Sequence, residues 1–219
     1  MLQVFAPSIK QVQPVAASLI EAAVKRSRLA NAYLLIGDNL DDKKKMALSL
    51  AAYLNCTGNG DNSSCFSLGK LLEASCQNCR WICLEKHPQA LHILSVDFQK
   101  TKISVEKARE LSLELAKTSS YSRVIIVEDA SEAVFHRPAA NALLKTIEEA
   151  GSRGTGQSIF LLFARSVDNV LATIVSRCQV IPVLAEPGSL AGQLGSILKG
   201  GTRPRSQEEE EIFQALSSQ

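Results

Sequence analysis

The sequence predicts an α/β protein with a parallel five-stranded sheet and helices on both faces. Short apolar runs of strand length alternate along the chain with longer segments of helical periodicity, and this alternation is typical of βαβ units. The runs are mostly apolar throughout, as expected for strands that are buried on both faces. The predicted strands are residues 33–36, 91–96, 123–127, 158–163 and 178–183.

Helical segments precede and separate these strands. Residues 8–29 are predicted to form one amphipathic helix, with basic residues near its C-terminal end, where cations interact favourably with the helix dipole. Another helix is predicted to begin at about Asp41, and two more are predicted over residues 104–117 and 131–149.

Composition limits the possible classes of function. The chain has 219 residues, of which 46% are hydrophobic, so it can bury a sizeable core. A net charge of +2 argues against a protein whose whole surface binds nucleic acid, although a local basic patch is compatible with it. The sequence has no run of 18 apolar residues and no secretory signal pattern. We therefore expect a soluble, cytoplasmic protein without membrane contact.

The turn after the first predicted strand matches a phosphate-binding loop only in part. Gly37 and Lys43 are in register with the pattern G-x-x-x-x-G-K-[ST]. However, Asp42 replaces the second glycine, and Lys44 replaces the hydroxyl residue that binds Mg²⁺. A carboxylate repels a phosphate, and an ammonium group cannot ligate a cation, so we expect no tight ATP binding here. The alternative is an ordinary strand-to-helix turn with Asp41 or Asp42 as the N-cap.

Two further charged features accompany this turn. Lys43, Lys44 and Lys45 form a basic run, which either contacts nucleic-acid phosphates or forms a solvated helix face. Glu128 and Asp129 follow the third predicted strand, and ligands of α/β proteins gather at the carboxyl ends of strands. This carboxylate pair either takes part in catalysis or caps the following helix.

Five of the six cysteines lie between residues 56 and 83, in a segment rich in turn residues. Cys76 and Cys79 form a C-x-x-C pair, and Cys56 and Cys65 supply two more thiols. Four such thiolates can enclose a structural Zn²⁺, with Cys83 as an alternative ligand. The other interpretations are reduced cysteines without a metal and a thioredoxin-like redox pair, which would leave Cys56 and Cys65 unexplained.

The composition changes after Val183. Residues 184–219 contain five glycines, two prolines and a run of four glutamates, with only scattered apolar residues. We predict that residues 1–183 form the α/β domain, with a zinc-binding excursion at about residues 56–83. Residues 184–219 are predicted to be a weakly ordered linker or a truncated second domain.

Four segments of the chain resemble a known family. They are LANAYLLIG at residues 29–37, the C-x-x-C pair followed by His87 and Pro88, AANALLKTIEE at residues 139–149, and LATIVSRCQ at residues 171–179. Together they resemble the delta-prime subunits of bacterial DNA polymerase III clamp loaders, members of the AAA+ superfamily. The resemblance covers residues 29–183, about 155 of the 219 residues.

The resemblance implies an AAA+-type fold in a subunit that binds no nucleotide itself. Arg177, in the Ser-Arg-Cys motif, is then an arginine finger that reaches the ATP site of a neighbouring ATPase subunit in trans. Without the resemblance, a lone arginine before a strand is usually a solvated or salt-bridged surface residue. The implied degenerate Walker A loop comprises Gly37, Asp42, Lys43 and Lys44, and the degenerate Walker B pair, in reversed order, is Glu128 and Asp129.

The chain departs from the family pattern in two places. Family members carry a cysteine three residues before the C-x-x-C pair, where this chain has Glu73, so Cys65 would substitute from further upstream. Full members also carry a helical lid and a helical collar after the α/β domain. Only 36 residues follow Val183, too few for both, so residues 184–219 would be a truncated lid without a collar.

The leading hypothesis is a non-catalytic clamp-loader subunit, part of the polymerase holoenzyme, that supports sliding-clamp loading in DNA replication. Its implied partners are the clamp-loader ATPase subunits and the delta subunit, with the sliding clamp and primed DNA reached through the complex. One alternative is an active P-loop ATPase that uses Lys43 with Glu128 and Asp129. The other is a zinc-stabilised adaptor without an ATPase partner.

Overall fold

The computed structural model describes residues 3–58, 63–69, 75–96, 100–149 and 157–183. These residues contain a five-stranded, fully parallel sheet with the strand order β2-β3-β4-β1-β5. The strands are β1 (Ala32–Ile36), β2 (Leu91–Leu94), β3 (Arg123–Val127), β4 (Ser158–Ala164) and β5 (Gln179–Pro182). The predicted parallel five-stranded α/β fold is confirmed. Residues 184–219 and parts of the cysteine-rich excursion, Glu73 included, lie outside the described residues.

Helices cover both faces of the sheet. One face carries α1 (Pro7–Val12), α2 (Pro14–Lys25), α3 (Leu40–Asn55) and α4 (Gln77–Cys83). The other face carries α5 (Val105–Leu115), α6 (Arg137–Glu149) and α7 (Ala172–Val175). In β1, Tyr33 and Leu35 belong to the hydrophobic core between the sheet and α1–α4, and Leu34 and Ile36 belong to the core between the sheet and α5–α7. Successive side chains of a strand point to opposite faces, so a strand between two helical layers must be apolar throughout.

The chain changes direction in the sheet at β1. From β1 it crosses to the edge strand β2 and then returns strand by strand to β4. Right-handed crossovers place the helices of these two paths on opposite faces of the sheet. The carboxyl ends of β1 and β4 therefore meet at a topological switch point, where α/β proteins form their ligand crevices.

The prediction of one helix over residues 8–29 is wrong. The chain forms α1 and α2, separated at Gln13, because Pro14 has no N–H for the interior of a helix and instead occupies the first turn of α2. The helix predicted over residues 131–149 begins only at Arg137. Ser131 forms an isolated bridge with Val170, so the chain is not helical there.

Two short helices were not predicted from the sequence. Helix α4 has seven residues and α7 has four, and both are too short to establish a helical period. Helix α4 matters for the cysteine cluster because Cys76 is its N-cap and Cys79 lies within it. In the part of the chain that the structure describes, no helix has both the length and the apolar character needed to cross a membrane.

Candidate functional site

An open groove of about 890 Å³ runs along the carboxyl edge of the sheet. Its walls come from the ends of β1, β3 and β4 and from the start of α3. Gly37, Lys43, Glu128 and Asp129 all line this groove, so residues far apart in the sequence are brought to one place. Its position at the switch point is the one expected for a nucleotide site in this class of fold.

The backbone of Gly37 leaves β1 in a conformation that requires glycine. Its φ angle is +142°, and a Cβ atom at this position would lie 1.9 Å from the carbonyl oxygen of Val183. The Gly37 N–H donates a hydrogen bond to the carbonyl oxygen of Ala164 at 3.1 Å. This donor is therefore engaged within the sheet and does not face a ligand in the groove.

Helix α3 begins at Leu40, three residues before Lys43. Its N-cap is Asn39, whose side-chain oxygen accepts a hydrogen bond from the Asp42 N–H at 3.0 Å. The prediction that Asp41 or Asp42 is the N-cap is therefore wrong, because the helix starts one residue earlier than its pattern indicates. The Lys43 N–H donates to the Asn39 carbonyl at 3.3 Å. In a phosphate loop such amides converge on the anion, whereas here they close the first helical turn.

The carboxylate of Asp42 has structural partners. It accepts hydrogen bonds from the side-chain amides of Gln13 at 2.8 Å and Asn39 at 2.9 Å. Gln13 is buried at the junction of α1 and α2. The residue that replaces the second glycine of a phosphate loop therefore attaches the N-terminal helices to the start of α3.

The side chain of Lys43 lies inside the sheet edge, with only 3% of the residue surface exposed. Its ammonium group donates to the carbonyl oxygens of Gly37 and Ala164, and the Ala164 distance is 2.8 Å. Burial lowers the pKa of this ammonium from 10.5 to about 8, although the carboxylates of Asp38 and Asp129 oppose the shift. Lys43 thus bridges the ends of β1 and β4.

The basic run at the start of α3 does not form a basic patch. Lys43 is buried, and Lys44 pairs with Glu85 at 2.9 Å and with Glu128 at 3.2 Å. Burial works against the charge of Lys44, but hydrogen bonds to these two carboxylates outweigh it and raise the pKa. Lys45 is the exposed member of the run. The geometry therefore offers a DNA phosphate one lysine instead of three.

Carboxylates outnumber cations along the groove. Asp129 accepts a hydrogen bond from the Ser131 N–H at 2.9 Å, so it closes a local turn and does not cap α6, which begins at Arg137. The lining carboxylates belong to Asp38, Glu128, Asp129, Glu132 and Asp168, and the lining cations belong to Lys43 and Arg165. An excess of negative charge opposes the binding of a triphosphate.

Arg177 follows α7 and is not part of the groove lining. Its Nε and Nη2 atoms each lie 2.6 Å from Oε1 of Glu148, in the last turn of α6. Its Nη1 atom donates to the carbonyl oxygen of Thr173 at 2.9 Å. Within its own chain, Arg177 is therefore a salt-bridged surface residue.

Four thiols converge at the end of α3 and the start of α4. The Sγ atoms of Cys56, Cys65, Cys76 and Cys79 all lie within 4.8 Å of one another. The Sγ atom of Cys56 is 3.8 Å from that of Cys65 and 3.9 Å from that of Cys76. Thiolates arranged in a tetrahedron at about 2.3 Å from an ion are about 3.8 Å apart. These four cysteines can therefore hold a metal ion, and Cys83 lies outside the group.

The surroundings favour the ionised form of the Cys76 thiol but oppose ionisation of the Cys65 and Cys79 thiols. Burial opposes ionisation of Cys76, but hydrogen bonds from the backbone N–H groups of Cys79 and Thr57 outweigh it and lower the pKa to about 6. Burial raises the pKa of Cys65 and Cys79. These two thiols need a nearby positive charge to ionise, which a metal ion supplies.

His87, which follows the cysteine cluster, has a structural role. Its ring is buried, and Nδ1 accepts hydrogen bonds from the backbone N–H groups of Gln89 at 3.2 Å and Ala90 at 2.8 Å. Its Nε2 atom lies 3.4 Å from the side-chain oxygen of Asn78 in α4. His87 thus connects the cysteine-rich excursion to the entry of β2.

The sequence interpretation missed Asn39, Gln13 and Glu148. A signal for Asn39 was present, because asparagine is a preferred N-cap residue and an acidic residue follows three positions later. Gln13 lies 29 positions from Asp42, and Glu148 lies 29 positions from Arg177. Contacts at such separations leave no local sequence signature.

Known proteins match most of this chain. The family model described as DNA polymerase III, delta subunit matches residues 12–186. Subunit delta' of DNA polymerase III from Bacillus subtilis (strain 168) is 30% identical over 178 residues, which cover 80% of this chain and 48% of that protein. The same subunit from Pseudomonas aeruginosa is 30% identical over 169 residues, or 76% of this chain and 46% of that protein.

A solved structure also matches. It is that of a gamma-subunit-related protein of DNA polymerase III from Thermotoga maritima, with a TM-score of 0.49 and 18% identity over 83% of this chain and 49% of that chain. The chain spans about half the length of the relatives that it matches.

We expect the Lys43→Ala variant to lower the free energy of unfolding by about 1 to 3 kcal/mol, because it removes the ammonium donor from the Gly37 carbonyl and one of the two donors from the Ala164 carbonyl. The matched control is Lys45→Ala, which removes an exposed lysine two positions away and should change stability by less than about 0.5 kcal/mol. Urea unfolding followed by circular dichroism measures both. Equal stability of the two variants would show that the ammonium does not hold the sheet edge.

Proposed function

This chain belongs to the DNA polymerase III delta-prime family, and on that basis we propose that it is a non-catalytic subunit of the polymerase's clamp loader. In this role it binds no nucleotide and helps to load the sliding clamp onto primed DNA. Arg177 acts as an arginine finger that contacts ATP bound by a neighbouring ATPase subunit.

The observation that carries this proposal is that the groups with which a phosphate loop would bind phosphate are hydrogen-bonded to other parts of this chain. A P-loop requires free backbone amides, a lysine that reaches the phosphates and a hydroxyl group on Mg²⁺. Here the Gly37 N–H bonds to Ala164, the Lys43 ammonium bridges two strands, and Lys44 occupies the hydroxyl position. The alternative of an active ATPase has no support from this arrangement.

The setting of Arg177 is compatible with action in trans. The residue is exposed in a turn at the surface, and its side chain is 35% exposed. A planar guanidinium group can stabilise the charge that develops on a transferred phosphoryl group, and a partner subunit can supply it. A neighbouring chain can therefore approach Arg177 without unfolding this domain.

We also propose that Cys56, Cys65, Cys76 and Cys79 hold a structural zinc ion. The sulfur separations of 3.8 and 3.9 Å match the edge of a tetrahedral zinc–thiolate site. Four protein ligands leave no open coordination position, so the ion would stabilise the excursion between α3 and β2 without taking part in a reaction.

The proposed partners follow from the clamp-loader role. They are the ATPase subunits and the delta subunit, whereas the sliding clamp and primed DNA are reached through the complex. Direct DNA binding by the run at the start of α3 is not part of the proposal, because Lys45 is the one exposed lysine of that run. A replication role places the protein in the bacterial cytoplasm.

The Arg177→Ala variant should lower ATP turnover of a reconstituted clamp loader about tenfold or more, because an arginine finger accelerates phosphoryl transfer by several orders of magnitude at its site. Turnover is measured with primed DNA and sliding clamp present. Arg165→Ala is the matched control, since Arg165 is exposed and lines the chain's own groove. We expect the control to retain wild-type turnover. Wild-type turnover with Arg177→Ala would refute the proposed arginine-finger role of this residue.

Metal analysis tests the zinc proposal independently of ATP turnover. The purified chain should contain about one zinc ion, and Cys79→Ser should lose it because three thiolates and a hydroxyl bind zinc poorly. Cys83→Ser is the control outside the cluster and should keep the metal. Zinc content well below one per wild-type chain, or zinc that survives in Cys79→Ser, would contradict the proposed ligand set.

A further inference from the structure

The guanidinium group of Arg177 is almost fully occupied within its own chain. Arginine has five N–H donors. The Nε–H and one Nη2–H face Oε1 of Glu148 at 2.6 Å. The Nη1 atom lies 2.9 Å from the carbonyl oxygen of Thr173 and 3.3 Å from Oγ of Ser176. Among the residues that the structure describes, these contacts leave one N–H of Nη2 unengaged.

A two-pronged contact with a phosphate needs two parallel N–H donors. Arg177 cannot offer two while all of its present contacts persist. The contact with Glu148 occupies one edge of the fork, and it is the contact made by a charged acceptor. A phosphate that approaches the edge formed by Nε and Nη2 therefore competes directly with the Glu148 carboxylate for the same donors.

The backbone of Glu148 is also held in place. Its backbone carbonyl accepts a hydrogen bond from the side-chain amide of Asn31 at 3.1 Å, which anchors the last turn of α6 beside the start of β1. The ion pair itself is open to water, with 35% of the Arg177 side chain and 50% of the Glu148 side chain exposed. Exposed ion pairs are weak, so a more highly charged anion can displace the carboxylate.

We propose that Glu148 is an intramolecular counter-ion that folds Arg177 back onto its own chain until the polyphosphate of a nucleotide on a neighbouring subunit displaces it. This inference rests on the proposed role of Arg177 in trans. Glu148 is a positioning residue: it touches neither the nucleotide nor the reacting atoms. Its effect is to weaken the contact of Arg177 with an incoming anion, ATP included, because the anion must first displace the carboxylate.

The test is the Glu148→Gln variant in the reconstituted clamp loader. The amide keeps the shape of the side chain but removes its charge, so the competition with phosphate weakens. We expect the KM for ATP to fall about two- to fivefold, the factor that corresponds to an exposed ion pair, with kcat unchanged. Glu149→Gln, the adjacent carboxylate, is the matched control and should leave both constants unchanged.

A double variant separates this inference from a general effect on folding. In an Arg177→Ala background, Glu148→Gln should no longer change the KM for ATP, because the group that it restrains is absent. A persistent change in that background, an unchanged or increased KM in the single variant, or a loss of kcat would each overturn the inference. If Arg177→Ala alone leaves turnover unchanged, the proposed trans role fails; if it lowers turnover and Glu148→Gln leaves KM unchanged, the counter-ion role alone fails.

Discussion

The contact between the Lys43 ammonium and the carbonyl oxygens of Gly37 and Ala164 is the interaction on which the carboxyl edge of the sheet depends. It joins β1 to β4 at the switch point, and it fixes the turn at Gly37, which in turn packs against Val183 at the end of β5. A phosphate bound in a phosphate loop would need the same ammonium. Nucleotide binding and the integrity of the sheet edge therefore compete for the Lys43 side chain.

Asp42 and Lys44, the two residues that depart from the phosphate-loop pattern, also have structural partners. Asp42 bonds to Gln13 and so holds the N-terminal helices, while Lys44 bonds to Glu85 and Glu128 and so connects α3 with the turn after α4 and the end of β3. These two sets of contacts fix the start of α3 against its neighbours. Arg177 takes part in neither set and pairs with Glu148 at the surface.

The sheet was predictable because its signal is local: each strand is a short apolar run, and burial on both faces requires that composition. The break at Pro14 was also present in the sequence, as a residue that cannot continue a helix, and it was overlooked. The cysteine spacing identified the four converging thiols. The contacts of Lys43 with Ala164, of Asp42 with Gln13 and of Arg177 with Glu148 were not predictable, because these partners come from distant segments that only the packed sheet brings together.

Isothermal titration of the purified chain with ATP in the presence of Mg²⁺ tests the central claim most directly. With Lys43 bound to the carbonyls of Gly37 and Ala164, and the Gly37 N–H bound to the same Ala164 carbonyl, no preformed phosphate cradle is available. We therefore expect no saturable heat up to about 1 mM ATP, which corresponds to a binding free energy weaker than about −4 kcal/mol. Saturable, Mg²⁺-dependent binding with a micromolar dissociation constant would contradict the proposal that this chain binds no nucleotide itself.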